Sequence, residues 1–265
     1  MTLAVRIITA AQHREWITQR PSVSFLQLPE WGAVKVGWDH ESLGWFDGSQ
    51  LVAAGLVLYR PVPRFPRRSL AYLPEGPDID WQGERYPSIS LAEWLEPLLA
   101  HCRGRGAFQV KMGPPVPVRR WQAHTIKASI ASWSDGSADP PHRISETLAD
   151  WHSTRGVQLT ERLRSMGWSQ ESGDDAGFGD VQPRFVFHVP LAGRSIGDVF
   201  AGFNQLWRRN IRKAEKAGVE VTRGEIADLA AFHAVYVETA ARDHFTPRGL
   251  QYFERMWREL NREGS

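Results

Sequence analysis

The sequence predicts an α/β fold, because strand-like and helix-like patterns alternate along its 265 residues. In residues 42–60, two apolar runs flank the dipeptide Asp47-Gly48, which favours a tight hairpin turn. Residues 90–103 and 196–217 repeat apolar side chains at the spacing of amphipathic helices. These three observations predict a sheet flanked by helices.

The N-terminal part of the chain predicts a helix, two strands and a loop between them. Residues 10–18 form a short polar helix candidate. Residues 51–59 are almost wholly apolar, which predicts a strand buried on both faces. Residues 60–68 predict a loop, because each of their prolines fixes φ and removes a backbone donor. The arginines of this loop are either solvated or an anion site, and residues 69–73 predict the next strand.

The following segment predicts a capped helix and another strand. Ser90 and Glu93 have the capping-box spacing, so residues 90–103 predict a helix with one buried face. Residues 108–112 predict a strand, and residues 147–168 predict more helix.

A change of composition predicts a domain boundary. Residues 132–141 are rich in Ser, Asp, Gly and Pro and predict an exposed loop. Residues 170–182 are acidic and glycine-rich, as linkers between domains often are. We therefore expect a first domain at residues 1–180 and a second at residues 181–265.

The sequence of the second domain predicts a strand, a helix and a second strand, followed by helices alone. Residues 183–191 and 219–222 predict the strands, and residues 196–217 predict a long helix between them. Residues 226–241 and 247–262 predict two further helices, and no strand pattern follows them.

Composition excludes several classes of protein. With 42% hydrophobic and 23% charged residues and a net charge of +2, the chain is not disordered, collagen-like or a coiled coil. Its longest apolar run is too short to span a bilayer, and no secretory signal pattern is visible. The single cysteine, Cys102, excludes an internal disulfide, and a buried structural thiol is expected. These features fit a reducing compartment, so a cytoplasmic location is expected.

A run of basic residues occupies the polar side of the long helix predicted at residues 196–217. The cations either offset the helix dipole or follow a sugar-phosphate backbone. They are Arg208, Arg209, Arg212, Lys213 and Lys216.

The turn between the last two predicted helices carries a second polar cluster. Asp243 and His244 are adjacent, and adjacent helical side chains point about 100° apart, so they are not expected to act as an acid/base pair. Arg242 and Arg248 flank the turn and either grip an anion or take part in a capping network.

An aromatic helical face is predicted near the N-terminus. Trp31, Val34, Lys35 and Trp38 have the spacing i, i+3, i+4 and i+7. The lysine either snorkels away from the aromatic side chains or presents its charge in a cleft walled by indoles.

Sequence motifs of cofactor and metal sites are absent. The chain lacks the P-loop, the dinucleotide-binding glycine motif, the zinc-protease motif and the nucleophile elbow. Its nine histidines show no metal-ligand spacing. No cofactor and no metal are therefore expected.

Several segments of the sequence are specific in combination. They are residues 25–35, 73–81, 182–184 and 207–221, with Thr239, Arg242, Phe245 and Arg248. The most specific is residues 207–221, which follows Gln182-Pro183-Arg184 and a predicted strand. In chain order these segments resemble the Fem family of aminoacyl-tRNA-dependent peptidoglycan aminoacyltransferases, and the similarity runs from about residue 20 to the end of the sequence.

The resemblance implies tandem acetyltransferase-like (GNAT-like) domains with mixed sheets flanked by helices. Family members continue further, so the second domain is expected to be incomplete, with about its first half present. The implied activity is transfer of an amino acid of the glycine, alanine or serine class from aminoacyl-tRNA to the side-chain amine of a peptidoglycan stem peptide. The acceptor would be lipid II or a nucleotide-linked precursor, with peripheral contact at the inner membrane face and no DNA partner.

The resemblance also implies binding roles for particular residues. Lys35 and Arg242 match positions that contact the acceptor's diphosphate, and Trp38, Thr239 and Arg248 complete the expected substrate-binding set. The basic residues of the long helix are expected to contact the tRNA backbone. No side chain is assigned as a catalytic base or as a donor to the developing oxyanion.

Two other functions stay open. A non-catalytic protein of the same family would bind the acceptor or the tRNA without transfer. An acyl-CoA-dependent N-acyltransferase would require a backbone pyrophosphate loop of the Arg/Gln-x-x-Gly-x-Gly/Ala kind, and the sequence has none.

Overall fold

A computed structural model of the chain describes residues 3–132, 143–170 and 182–261. The chain divides into two compact units, residues 1–182 and residues 183–265. Within the described ranges, no helix combines the length and the apolar character that crossing a lipid bilayer requires. The loop expected at residues 132–141 and the acidic segment at 170–182 lie almost wholly outside the described residues.

The first unit is built on a five-stranded mixed sheet whose strands follow chain order. The first four strands are antiparallel neighbours, and the last pairs in parallel with the fourth after a helical crossover. The strands are β1 (Ala4–Ile8), β2 (Asp39–Asp47), β3 (Gln50–Val62), β4 (Phe65–Leu73) and β5 (Ala107–Met112). A separate short ribbon pairs β6 (Arg119–Arg120) with β7 (Trp151–His152). The predicted α/β class, with a mixed sheet flanked by helices, is confirmed.

Nine α-helices flank or follow these strands in the described ranges. Those of the first unit are α1 (Ala10–Thr18), α2 (Glu30–Val34), α3 (Leu91–Gly104), α4 (Ala123–Ala131) and α5 (Thr154–Ser165). Those of the second unit are α6 (Ile196–Gly202), α7 (Gln205–Lys216), α8 (Leu229–Asp243) and α9 (Leu250–Leu260). The α5 helix covers only part of the helix predicted at residues 147–168.

The predicted hairpin and the predicted capped helix are both confirmed. Asp47 pairs with Gln50 across a turn in which Gly48 has φ of 59°, a conformation that glycine adopts without strain. The Ser90 side chain accepts from the amide of Glu93, and the Glu93 carboxylate accepts from the amide of Ser90 at 2.8 Å. Local turn and cap chemistry therefore sets the limits of β2, β3 and α3.

The main core lies between α3 and one face of the sheet. Trp45 of β2 and Trp94 of α3 are fully buried, and the Trp45 indole donates to the Trp94 carbonyl at 2.8 Å. Cys102 is buried in the same core, and burial raises its pKa to about 11, so the thiol stays neutral. The expected structural thiol is therefore confirmed as a buried residue.

The opposite face of the sheet is covered by α1. Strand alternation puts Ser42 on the face opposite Leu43, and Ser42 Oγ lies 2.9 Å from Nδ1 of the buried His13. The β3 strand is thus buried on both faces, as its apolar run predicts.

The segment that follows β4 continues along the edge of β3. The amide of Asp78 donates to the Ala54 carbonyl at 2.8 Å, beyond the point where β4 pairing ends. The Asp78 carboxylate accepts from the Trp16 indole at 2.8 Å and forms ion pairs with Arg20 and Arg85 at 2.9 and 3.2 Å. One carboxylate thus ties α1 and this segment together.

The loop predicted at residues 60–68 is wrong. These residues form the end of β3, a two-residue turn and the start of β4, with Arg64 at φ of 69° in the turn. Pairing of β3 with β2 ends at Tyr59, so Pro61 lacks a donor on a strand edge that needs none. Proline is excluded from the middle of a sheet, but the β3–β4 hairpin extends past the end of β2, where proline is tolerated.

The single helix predicted at residues 196–217 is also wrong. Phe203 is extended, with φ of −70° and ψ of 152°, and it separates α6 from α7. The Asn204 side chain accepts from the Trp207 amide at 2.8 Å and so begins α7 as its N-cap. The apolar spacing continues through this break, but capping decides the backbone.

The strands predicted at residues 183–191 and 219–222 are not formed, and the described part of the second unit contains helices and irregular segments only. A strand needs a neighbouring strand, and neither segment forms a ladder with another strand among the described residues. Their apolar side chains stay in contact with solvent, with Phe187 95% and Val221 97% exposed. The helices predicted at 226–241 and 247–262 correspond to α8 and α9.

Acidification is expected to weaken the first unit through His13. Burial lowers the pKa of His13 to about 4, whereas the unfolded chain binds this proton near pH 6.5. Above pH 6.5 the His13 proton has no effect on the free energy of unfolding. That free energy declines as the pH falls from 6.5 toward 4. Between pH 7.5 and pH 5 we expect a loss of about 2 kcal/mol that His13→Gln removes. Urea unfolding of both proteins at the two pH values measures this, with the exposed His152→Gln as control, and equal pH dependence in all three proteins would contradict it.

Removing the Asp78 carboxylate is expected to destabilise the first unit. Asp78→Ala leaves the Trp16 indole and two half-buried guanidinium groups without their acceptor, at a cost of about 2 kcal/mol. Asp78→Asn keeps an acceptor for the indole and should lose less. Urea midpoints provide the measurement, the exposed Glu15→Ala is the control, and an unchanged midpoint in Asp78→Ala would show that this network contributes nothing.

Candidate functional site

Lys35 lies at the end of α2 and not within it. The helix ends at Val34, Lys35 is its C-cap, and Gly37 has φ of 76°. The prediction that Trp31, Lys35 and Trp38 share one helical face is therefore wrong, because the backbone leaves the helix before Trp38. The contact between lysine and indole is nevertheless present: Lys35 Nζ lies 4.7 Å from the centroid of the Trp31 ring.

Trp38 faces the sheet and contacts residues that the sequence did not single out. Its ring centroid lies 6.3 Å from that of Tyr72 in an edge-to-face arrangement, and the Arg60 guanidinium carbon lies 5.7 Å from the Trp38 ring. Gln182 donates to the Tyr72 hydroxyl at 2.8 Å. Burial raises the pKa of Tyr72, so its hydroxyl stays protonated. The signal in the sequence that could have identified Tyr72 is its position between Ala71 and Leu73. Both of these residues are buried, so strand alternation puts the Tyr72 ring on the opposite face of the sheet.

Two of the family-like segments meet in the first unit. A short turn at residues 25–27 is capped by Ser24, and the Gln27 side-chain amide donates to the Gly76 carbonyl at 3.2 Å. Gly76 has φ of 73°, and a Cβ there would lie 3.1 Å from the Trp81 ring, so the position favours glycine. The segments at 25–35 and 73–81, distant in sequence, form one structure.

Arg242 and Asp243 form an ion pair at the end of α8. The Arg242 Nε and Nη2 atoms donate to the two oxygens of Asp243 at 2.8 and 3.0 Å. This pairing raises the pKa of Arg242 and lowers that of Asp243. His244 follows in the left-handed conformation at φ of 59° and ends the helix. The Asp243 carboxylate thus binds Arg242, in line with the expectation that it does not work with His244 as a pair.

Arg248 belongs to the turn network before α9. Its guanidinium carbon lies 4.6 Å from the Tyr252 ring centroid, and its carbonyl accepts from His233 Nε2 at 2.9 Å. Thr239 is half-buried on α8. The turn therefore contains the capping and packing network that was one of the two interpretations, while the Arg242 side chain stays 72% exposed.

The cations of α7 divide into two sets. Arg208 donates to the Ala201 carbonyl at 2.9 Å, and the Arg212 guanidinium carbon lies 5.3 Å from the Phe200 ring, so both contact α6. The other three are exposed at the spacing of one helical face. They are Arg209, Lys213 and Lys216.

The α7 helix thus has cations on one exposed face, as binding of a polyanion requires. It also has cations near its C-terminal end, as the alternative interpretation through the helix dipole requires. Lys213 and Lys216 lie in its last turn, where cations offset the partial negative charge of a helix end. Trp207 is 58% exposed and packs against Phe203, with ring centroids 5.6 Å apart, on the side of α7 away from Arg209, Lys213 and Lys216. The exposed cationic face therefore offers phosphate contacts without the indole.

Known proteins resemble this chain over almost all of its length. The model of the FemAB family matches residues 8–262. The lipid II:glycine glycyltransferase of Staphylococcus haemolyticus is 22% identical over 260 residues, which are 97% of this chain and 52% of that protein. The corresponding Staphylococcus aureus enzyme is 21% identical over 260 residues. The chain spans about half the length of the curated relatives it matches.

The fold is also that of a solved structure. The crystal structure of FemX matches with a TM-score of 0.69 at 20% identity, over 98% of this chain and 55% of FemX. That likeness covers the architecture of the chain. Because the family match runs from residue 8 to residue 262, the chain belongs to the FemAB family.

Proposed function

We propose that this chain serves in the transfer of an amino acid from aminoacyl-tRNA to the side-chain amine of a peptidoglycan stem peptide, with lipid II or a nucleotide-linked precursor as acceptor. The observation that carries the proposal is the FemAB match over residues 8–262, together with relatives named lipid II:glycine glycyltransferase. The amino acid belongs to the glycine, alanine or serine class. The transfer reaction takes place in the cytoplasm, and the protein makes peripheral contact with the inner face of the membrane.

The reaction is aminolysis of an ester. The neutral amine attacks the ester carbonyl carbon, the new C–N bond forms, and the bond to the tRNA ribose oxygen breaks as that oxygen takes up the proton. Holding the two substrates in the correct relative position supplies much of the rate acceleration, because the reaction then behaves as an intramolecular one. Residues that bind the ends of each substrate are therefore the expected contribution of this chain.

Lys35 suits the acceptor's diphosphate. Its ammonium is half-buried against the Trp31 ring, so the charge is held in one place and partly shielded from water. Trp38, supported by Tyr72 and Arg60, provides an aromatic wall three residues further along. A partly desolvated cation beside an indole attracts a diphosphate more strongly than an exposed one.

Arg242, in the second unit, also suits a phosphate group. Asp243 uses the Nε edge of the guanidinium, and the remaining N–H groups on the other edge are free to donate to phosphate oxygens. The ion pair fixes the plane of the guanidinium and so lowers the entropy cost of binding. Thr239 and Arg248, on α8 and in the following turn, complete the proposed substrate-binding set.

The tRNA backbone is proposed to contact the cations of α7. The exposed face formed by Arg209, Lys213 and Lys216 would make the direct phosphate contacts. Arg208 and Arg212 add charge to the same helix while holding it against α6.

A transfer assay tests the proposal directly. The purified chain is mixed with radiolabelled glycyl-, alanyl- or seryl-tRNA and lipid II, and the labelled lipid product is measured under single-turnover conditions. The expected result is label on lipid II that requires both substrates. Binding of both substrates without transfer would instead favour the non-catalytic alternative, and binding of acyl-CoA but not tRNA would favour the N-acyltransferase.

Lys35→Ala and Arg242→Ala are expected to weaken binding of the acceptor. Each loses charge-assisted hydrogen bonds worth about 1.5–3 kcal/mol, which is a loss of affinity of about 10- to 100-fold. Calorimetric titration with a soluble nucleotide-linked precursor measures the affinity. Matched controls are Lys127→Ala on α4 and Arg258→Ala, an exposed arginine that is ion-paired with Glu254. Unchanged affinity in both test variants would refute the role of these two cations.

A further inference from the structure

We propose that the first unit binds a terminal phosphoryl group, that is, a phosphate monoester, in a pocket at the end of its sheet. The pocket lies where the β3–β4 hairpin meets the C-terminal end of α3. It is not needed for the proposed function, and two of the arginines of residues 60–68, Arg67 and Arg68, line it. The sequence left the arginines of that segment as either solvated or an anion site.

The pocket has a volume of about 100 Å³, which is suited to one phosphate-sized group. Three arginines and one aspartate line it, so its wall carries more positive than negative charge. Polar groups dominate the lining, and its main members are Arg67, Arg68, Ser69, Arg105, Tyr59 and Asp39.

Arg105 is held in place by a buried carboxylate. Its Nε lies 3.4 Å from Glu41 Oε2, and its guanidinium carbon lies 5.5 Å from the Tyr59 ring. Glu41 itself accepts from the Tyr59 hydroxyl at 2.5 Å and lies 2.5 Å from His101 Nε2. The orientation of Arg105 is therefore set by the core before any ligand arrives, which reduces the entropy lost on binding.

Arg67 and Arg68 are arranged differently. Across the described ranges, neither forms an ion pair with an acidic side chain. The backbone of Arg67 is fixed by Gly106, where a Cβ would lie 2.3 Å from the Arg67 carbonyl oxygen. Two guanidinium groups are thus attached to a rigid backbone and have no internal counter-ion in the part of the chain that the structure describes.

Ser69 provides the independent observation that points to a ligand. The residue is only 9% exposed, and its hydroxyl is buried without a hydrogen-bond partner in the described residues. Buried hydroxyls are normally satisfied, because an unmade hydrogen bond costs free energy. A phosphate oxygen in the pocket that Ser69 lines would accept that bond, and Arg67 and Arg105 would supply donors to the other oxygens.

The pocket is distinct from the proposed acceptor site. Side chains alternate along a strand, so Tyr59 and Arg60 point to opposite faces of the sheet. Tyr59 belongs to the core under α3, whereas Arg60 contacts Trp38 on the other face. Failure of either proposal therefore leaves the other unaffected.

Titration of the full chain with inorganic phosphate, at constant ionic strength, tests this pocket. Amide shifts in NMR spectra report the affinity and the location, and saturable shifts at Arg67, Ser69 and Arg105 are expected. Arg67→Ala should weaken binding by about tenfold or more, since it removes charge-assisted hydrogen bonds, whereas Arg68→Ala should have a smaller effect, because strand alternation points Arg68 away from Arg67 and Ser69. Ser69→Ala should weaken it by about fivefold without lowering the melting temperature, because it removes a hydroxyl that has no partner. Arg155→Ala, an exposed arginine paired with Glu84, is the matched control and should bind as the parent chain does.

Two further probes identify the source of the phosphate. Uridine monophosphate should bind at the same amides, and an oligouridylate without a terminal phosphate should not. Absence of saturable shifts with phosphate in the parent chain, or an affinity in Arg67→Ala equal to that of the parent chain, would overturn the pocket. Equal affinity for the oligouridylate would overturn its assignment to a phosphate monoester.

Discussion

Burial of β3 on both faces is the constraint on which the first unit depends. Every residue from 52 to 59 is buried, with α3 and its core on one side and α1 on the other. A strand in that position has to satisfy its backbone from its neighbours, since no water reaches it. Strand β2 does so along the whole stretch on one side. On the other side β4 pairs from Leu58 onward, and the segment at residues 74–81 adds the bond from Asp78 to Ala54. The segment at residues 74–81 belongs to the family-like segment at residues 73–81. The hydrogen bonds that complete the sheet therefore also hold part of the candidate site in place.

The features that the sequence predicted correctly are those fixed by neighbouring residues. The Asp47-Gly48 turn and the cap formed by Ser90 and Glu93 act within four residues, so their chemistry is visible in the sequence. The contact of Lys35 with Trp31 follows for the same reason. The contact of Trp38 with Tyr72 does not, because it depends on the exit of the backbone at Gly37 and on the register of β4.

The features that the sequence predicted wrongly depend on partners or on competition between signals. Residues 60–68 became a hairpin because Pro61 lies beyond the end of β2, a fact of strand length that no local pattern records. The break at Phe203 shows that a polar cap at Asn204 outweighs an apolar stripe that runs through it. The segments at 183–191 and 219–222 have strand-like composition and no strand, since β-propensity expresses packing against neighbours.

The close approach at Gly55 joins these observations. A Cβ on Gly55 would lie 3.0 Å from the Cα of Pro77, next to Asp78 and in the middle of the segment that Gln27 contacts through Gly76. A side chain at this central position of the sheet would therefore displace Pro77, and with it the segment that bonds to Ala54 and to Gln27. A change at Gly55 would disturb the packing of β3 and the structure formed by residues 25–27 and 73–81 at the same time.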